Sequence, residues 1–273
     1  MADRPRILVE VCVDSLASAA AAVAGGAERL ELCGGLVEGG LTPSAGMVAL
    51  VREHVDSPLH VLIRSRSGDF LPDDDEVLVM LEDIDLAMRL GADGVVIGAL
   101  RADGTVDAEV TRRLMGAARP MAVTFHRAFD LTRDPNEALD ALQALGVERV
   151  LTSGQAGTAE AGMPVLRSLV TRSAGSLAIL AGGGIHEGNA ARIVKETGVR
   201  ELHVRGSRTH PSPMKYRREG VFMGRQYQPD EYLRVEADAE RVARVVRQVS
   251  GEGELPLTLT AAPDAPTPPS VAR

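Results

Sequence analysis

Two short apolar runs carry the same inset, a glutamate and a cysteine one residue apart: Glu10-Val11-Cys12 and Glu31-Leu32-Cys33. In a strand, side chains two apart share a face. Glu10 therefore points with Cys12, and Glu31 with Cys33. If the two runs are neighbouring parallel strands joined by a helix, two carboxylates and two thiols converge on one spot. An ionised glutamate is rarely buried without a partner, which favours a site over a plain core. The plain alternative makes both cysteines small buried hydrophobes and leaves both glutamates at strand ends in water. Paired thiolates, joined by a histidine, suit a soft ion such as Cu(I). The cysteines belong to separate runs, so there is no Cys-x-x-Cys, and the usual Cys/His spacings of zinc sites are missing. His186-Glu187-Gly188-Asn189 lacks the second histidine of a zincin motif, and neither a P-loop nor a nucleophile elbow occurs.

The elements that must position these residues alternate regularly. Apolar, β-rich runs begin near residues 7, 29, 59, 94, 121, 149, 177 and 201, and segments of helical composition separate them. The helical segments are read as 15–24, 43–53, 74–90, 107–118, 135–145, 158–171 and 188–197. Thr42-Pro43 and Asp134-Pro135 each read as a cap before a first-turn proline. Gly91, Gly146 and Gly198 sit where helices should stop. Eight such alternations predict an α/β fold, a closed TIM (β/α)8 barrel forming one domain over residues 1–250. The runner-up, an open doubly wound sheet, calls for a Gly-rich loop after the first strand, and VCVDSLAS is not one. The polar stretch after Ser207 is expected to form a lid or rim over the mouth, followed by a last helix at about 234–249. Residues 251–273, with five prolines, read as a disordered tail.

Barrel sites lie where the strands end, so the polar residues there are the candidates. They are Glu10 and Cys12; Glu31 and Cys33; Arg64, Arg66 and Asp69; Thr124, His126, Arg127 and Asp130; Thr152 and Ser153; and His203, Arg205 and Ser207. Gly182-Gly183-Gly184 after the seventh run, with Gly206-Ser207 after the eighth, offers bare backbone N–H groups to a phosphate or other oxyanion. One reading is thus a lyase or isomerase for a small phosphorylated or carboxylated metabolite. Gly183, Gly184 and Ser207 would hold the phosphate, and Arg64 with Arg205 a second anionic group. Glu10 or Glu31 would be the general base and His126 the acid, with His203 in the same bowl. The other reading is a metal-binding barrel with Cys12 and Cys33 as ligands. A barrel interior whose charges only satisfy one another is the structural alternative to both.

The bulk numbers narrow the partners. A net charge of −8 disfavours nucleic acid and acidic membrane surfaces. The absence of tryptophan and an aromatic content of 3% disfavour a stacking platform for sugars or single strands. Two cysteines make no disulfide framework, so a reducing cytoplasm is expected. No run approaches the length of a membrane span, and the N-terminus has no secretory pattern.

EVCVDS, GAERLELC, EGGLTPS, IRSRSGDF, VTFHRAFD, RVLTSGQ, AGGGI and SPMKYRREG occur in this order and closely resemble the CutC family of copper homeostasis proteins. The resemblance covers nearly all of residues 7 to about 245. It implies a cytoplasmic TIM barrel, a homodimer, and copper as the ligand of Cys12 and Cys33. The chain departs from the family's usual IRPRGGDF at Ser65 and Ser67. It also has His203-Val204-Arg205-Gly206-Ser207 where a His-Ser-Ser-like stretch is usual, and the added Arg205 favours an anionic ligand.

Overall fold

The computed structural model describes residues 6–218, 220–221 and 230–250. Eight parallel strands close into a barrel in sequence order: β1 Leu8–Val13, β2 Arg29–Leu32, β3 Leu59–Leu62, β4 Gly94–Ile97, β5 Ala122–Phe125, β6 Arg149–Thr152, β7 Ala178–Gly182 and β8 Glu201–Val204. β8 pairs back onto β1, with His203 opposite Glu10. Seven helices follow the first seven strands: α1 Leu16–Ala24, α2 Ala45–His54, α3 Asp74–Arg89, α4 Ala108–Ala118, α5 Pro135–Leu145, α6 Met163–Ser173 and α7 Ala190–Thr197. After β8 come an antiparallel pair, β9 Ser207–Pro211 and β10 Leu233–Ala237, and then α8 Ala239–Ser250. The expected (β/α)8 barrel is therefore what the chain forms. Among the described residues no helix is long and apolar enough to cross a membrane. The tail expected over 251–273 lies outside the described residues.

Local chemistry sets these elements. Ser15, Ser44, Asp73, Asp107 and Asp134 each accept a backbone N–H in the first turn of their helix. Asp73 and Glu76 complete a capping box. Gly146 and Gly198 take the left-handed conformation that ends α5 and α7. Three readings need correction. α2 is capped by Ser44, because the Thr42 hydroxyl is engaged with the backbone of Arg64. α6 begins only at Met163, since Thr158 and Ser153 draw the preceding residues into a turn at the barrel rim. Residues 233–237 are a strand rather than the start of the last helix. Their alternation matches β9, Leu233 lying opposite Pro211 and Ala237 opposite Ser207. Asp238 then caps α8 by accepting the N–H of Arg241 at 3.0 Å. The β9–β10 pair sits at the rim beside α1, where Ala237 N donates to Ser18 Oγ at 3.1 Å.

Apolar residues one step out of phase with the candidates, such as Val9, Val11, Leu30 and Leu32, face the helices and form the main core. The inside of the ring is different. TIM barrels ordinarily fill it with layers of branched aliphatics. Here its lower half holds Glu10, Arg29, His60, Arg149 and Glu201, all joined or adjacent.

Candidate functional site

The register of β1 against β2 places Cys12 opposite Glu31, and the alternation of both strands turns the two Glu-x-Cys pairs inward. Cys12 Sγ and Cys33 Sγ lie 3.6 Å apart, both buried and both free thiols. Cys33 Sγ is 3.4 Å from Glu31 Oε2. His203, from β8, stands between the two carboxylates: its Nδ1 is 2.7 Å from Glu10 Oε1 and its Nε2 3.6 Å from Glu31 Oε2.

Beneath this cluster the polar chain continues toward the other end of the barrel. Glu10 pairs with Arg29, Arg29 donates to Glu201 at 2.6 Å, and Arg149 donates to the same Glu201 oxygen at 2.6 Å. The result is a column of alternating charge, Arg149–Glu201–Arg29–Glu10–His203–Glu31, capped by two thiols. Arg29, Arg149, His60 and Glu201 were not among the sequence candidates. Their signal was the same alternation carried one step back: Arg29-x-Glu31-x-Cys33 and Glu201-x-His203-x-Arg205.

The column sets the proton affinities of its members. Burial alone would raise the Glu10 carboxyl, but the His203 hydrogen bond and Arg29 outweigh it and hold it well below the usual carboxylate range. Burial raises the Glu31 carboxyl to about 8, against the pull of His203. Burial would lower His203, yet Glu31, Cys12 and Glu10 together raise it well above an ordinary imidazole. A hydrogen bond from Cys33 pulls the Cys12 thiol well below its ordinary value, and the same contact pushes Cys33 up. In the upper cluster these neighbours favour a charged His203, a neutral Glu31 carboxyl and a thiolate at Cys12.

Above the thiols opens a cavity of about 280 Å³. Its floor is Cys12, Cys33, Glu31 and His203, and its apolar walls include Leu36, Leu62, Phe70, Leu151 and Ile185. Arg64, His126, Arg127, Gly183, Gly184 and Arg205 complete the lining. Arg64 lies 4.8 Å over the Phe70 ring and donates to the carbonyls of Glu38, Gly40 and Gly68. His126 accepts the N–H of Ala128 on Nδ1 at 3.1 Å, so its neutral ring carries the proton on Nε2, which has no partner. Burial and then Arg64 hold His126 down to about 3.

Other candidates sit off the cavity wall, each with a local reason. Glu10 lies one layer below, between Arg29 and His203. Arg66 turns outward to Asp69 and Glu76. Thr152 and Ser153 are taken by Asp130, whose carboxylate accepts from both hydroxyls and from the N–H groups of Ser153 and Gln155. Gly182 packs against Leu151 and His203 within the sheet, and Gly206 against Val242 of α8. The Ser207 carbonyl accepts from Arg241 as β9 begins.

Comparison with known proteins now bears on this geometry. The CutC family model matches residues 7–208. The chain belongs to the CutC family. A CutC family protein of Bacteroides thetaiotaomicron is 48% identical over 241 residues, 88% of this chain and 97% of its own length. The human copper homeostasis protein cutC homolog is 47% identical over 235 residues, 86% of each chain. The crystal structure of a CutC protein from Streptococcus agalactiae superposes with a TM-score of 0.70 at 32% identity, covering 72% of this chain and 98% of the other. A phosphoribosylanthranilate isomerase from Thermotoga maritima, at TM-score 0.54 and 13% identity over 90% of this chain and 99% of its own, shares the barrel fold alone. This CutC chain therefore carries its two thiols, its carboxylates and His203 on a barrel of the kind its family is built on.

Proposed function

We propose that this CutC family member is a cytoplasmic copper-handling protein that binds Cu(I) through Cys12 and Cys33 at the floor of the barrel mouth. The observation that carries the reading is the pair of free sulfurs 3.6 Å apart beneath an open cavity. Thiolates are soft ligands and select a soft monovalent ion. Glu31 joins the two cysteines in a group of donor atoms all within 4.8 Å of one another. Metal binding needs deprotonated thiols, and the neighbours supply what that requires. His203 compensates thiolate charge, and Glu31 Oε2 lies 3.4 Å from Cys33 Sγ. The names carried by the human relative and by the Streptococcus agalactiae structure agree with this reading. The homodimer that goes with it is checked by light scattering in solution.

The test is a Cu(I) titration under reducing, anaerobic conditions against a competing chromophoric chelator. Wild type should take up one ion per chain. The double variant Cys12→Ser/Cys33→Ser should bind at least about a hundredfold more weakly, since it removes both thiolate ligands. Circular dichroism would confirm that the variant is folded. Equal affinity in the two proteins would sink the copper reading.

A further inference from the structure

A bare ion between two sulfurs leaves most of this cavity without a purpose. At about 280 Å³ it approaches the range of small-molecule pockets, whereas a single water occupies roughly 30 Å³ of liquid. Its cationic groups are equally unexplained. Arg64 forms no ion pair among the described residues; its guanidinium meets only backbone carbonyls and the Phe70 ring, and its Nε is buried without a partner. Arg205 makes no hydrogen bond or ion pair among the described residues, the charge of Asp14 being the acidic one it faces.

Their placement is specific. Arg64 follows β3, and the Gly183-Gly184 turn follows β7, four strands away on an eight-strand ring. They stand on opposite walls of the mouth. Arg205, after β8, flanks the glycine turn. Gly183 and Gly184 have φ of +104° and +70°, a conformation that leaves backbone rather than side chain facing the cavity. His126, after β5, adds a ring that is 5% exposed and whose protonated Nε2 has no acceptor.

We infer that the cavity binds a small organic dianion laid across the barrel mouth. One oxyanion end lies at Arg205 and the Gly183-Gly184 turn, the other at Arg64, with the central carbons above Cys12 and near His126. The ligand class is a metabolite of a few carbons with two anionic groups, each a phosphate or a carboxylate. A guanidinium recognises either, through charge-assisted hydrogen bonds that a neutral molecule cannot make. Apolar walls from Leu36, Leu62, Phe70 and Leu151 fit a short carbon chain between the charged ends. This goes beyond copper binding and does not depend on it, because no thiol takes part in holding the anion.

The experiment uses metal-free full-length protein in phosphate-free buffer. Isothermal titration with 2-phosphoglycolate and with succinate is compared with methyl phosphate and acetate, which carry one anionic group each. The expected result is saturable binding of at least one of the two-ended ligands, about tenfold or more tighter than either single-group control. Arg205→Met should weaken it about tenfold or more, as loss of a charge-assisted contact does. Among the described residues Arg205 makes no hydrogen bond or ion pair, so this variant carries the test even if Arg64→Met, which unties three loop carbonyls, fails to fold. Absence of saturable binding by both two-ended ligands, single-group controls binding as tightly, or an unchanged affinity in Arg205→Met would each overturn the inference. A failed copper titration would leave it standing.

Discussion

Replacing Glu10 by glutamine should destabilise the barrel severely, and neutralising its partner should restore much of the loss. Glu10 is 1% exposed and stands between two cationic groups, Arg29 and His203. Arg29 is itself 4% exposed, and its other carboxylate, Glu201, is shared with Arg149. Removing the Glu10 charge thus leaves a buried and a half-buried guanidinium on one carboxylate and a histidine without its closest anion. Breaking a buried ion pair on one side costs roughly 3–5 kcal/mol. At about 2–4 °C per kcal/mol for a chain of this size, the melting temperature should fall by roughly 10 °C. The double variant Glu10→Gln/Arg29→Met removes charge from both sides and should recover at least about 2 kcal/mol relative to the sum of the single changes. The chain has no tryptophan, so urea unfolding is followed by far-ultraviolet circular dichroism. A Glu10→Gln protein within about 1 kcal/mol of wild type, or single effects that simply add, would refute the idea that the column is one coupled network.

Two further outcomes follow from buried rings inside the barrel. Burial holds His60 down to about 4, below the unfolded value near 6.5, so its neutral form belongs to the folded state. Its contribution is full above about pH 6.5 and is lost as pH falls toward 4, worth roughly 3 kcal/mol at about 1.4 kcal/mol per pKa unit. The advantage of wild type over His60→Gln in urea unfolding should therefore shrink by about that amount between pH 7 and pH 4; a constant gap would count against a buried neutral His60. Separately, a Cβ added at Gly98 would lie 2.3 Å from Cε1 of His126, a ring fixed by Ala128 and Phe70. Gly98→Ala should cost roughly 1–3 kcal/mol by thermal unfolding. Gly46→Ala in α2, where the added methyl meets nothing within 4 Å, should be neutral or stabilising, and equal effects at the two glycines would contradict the packing account.

The barrel was legible because each strand run is short, β-rich and separated by a helix with its own start and stop residues. Asp134-Pro135 and Gly146 delimit α5 almost to the residue. The last helix was misjudged at its start because LRVEA is too short to show its period. Its strand identity comes from pairing with SRTHP, a partner that sequence proximity does not reveal. At the site, the two-residue alternation placed the thiols and Glu31 together. It should have been followed one step back to Arg29 and Glu201, but buried charges are so uncommon that they read as surface residues. Thr152 and Ser153 looked like ligands at a strand end. Asp130 satisfies them instead, and such pairing across loops has no signature in local sequence.

Charge is what links the column below to the thiols above. Arg29 and Arg149 are balanced by Glu10 and Glu201, so the lower half contributes no net charge. In the upper half the shifts favour a charged His203 against a thiolate at Cys12, with the Glu31 carboxyl neutral. A buried group tolerates little uncompensated charge. Were a monovalent cation to replace the Cys33 proton, the sum would be unchanged: two thiolates, one metal charge and one imidazolium. A divalent ion at the same place would add a positive charge that only ionisation of Glu31 could answer, because Glu10 and Glu201 are already committed to the arginines. On the proposed copper reading, the softness of the sulfurs would favour Cu(I), and the column would accept it without moving a further proton. The column needs no contact with that ion to do so; its part is to hold His203 charged and to leave Glu31 as the one carboxyl free to exchange a proton.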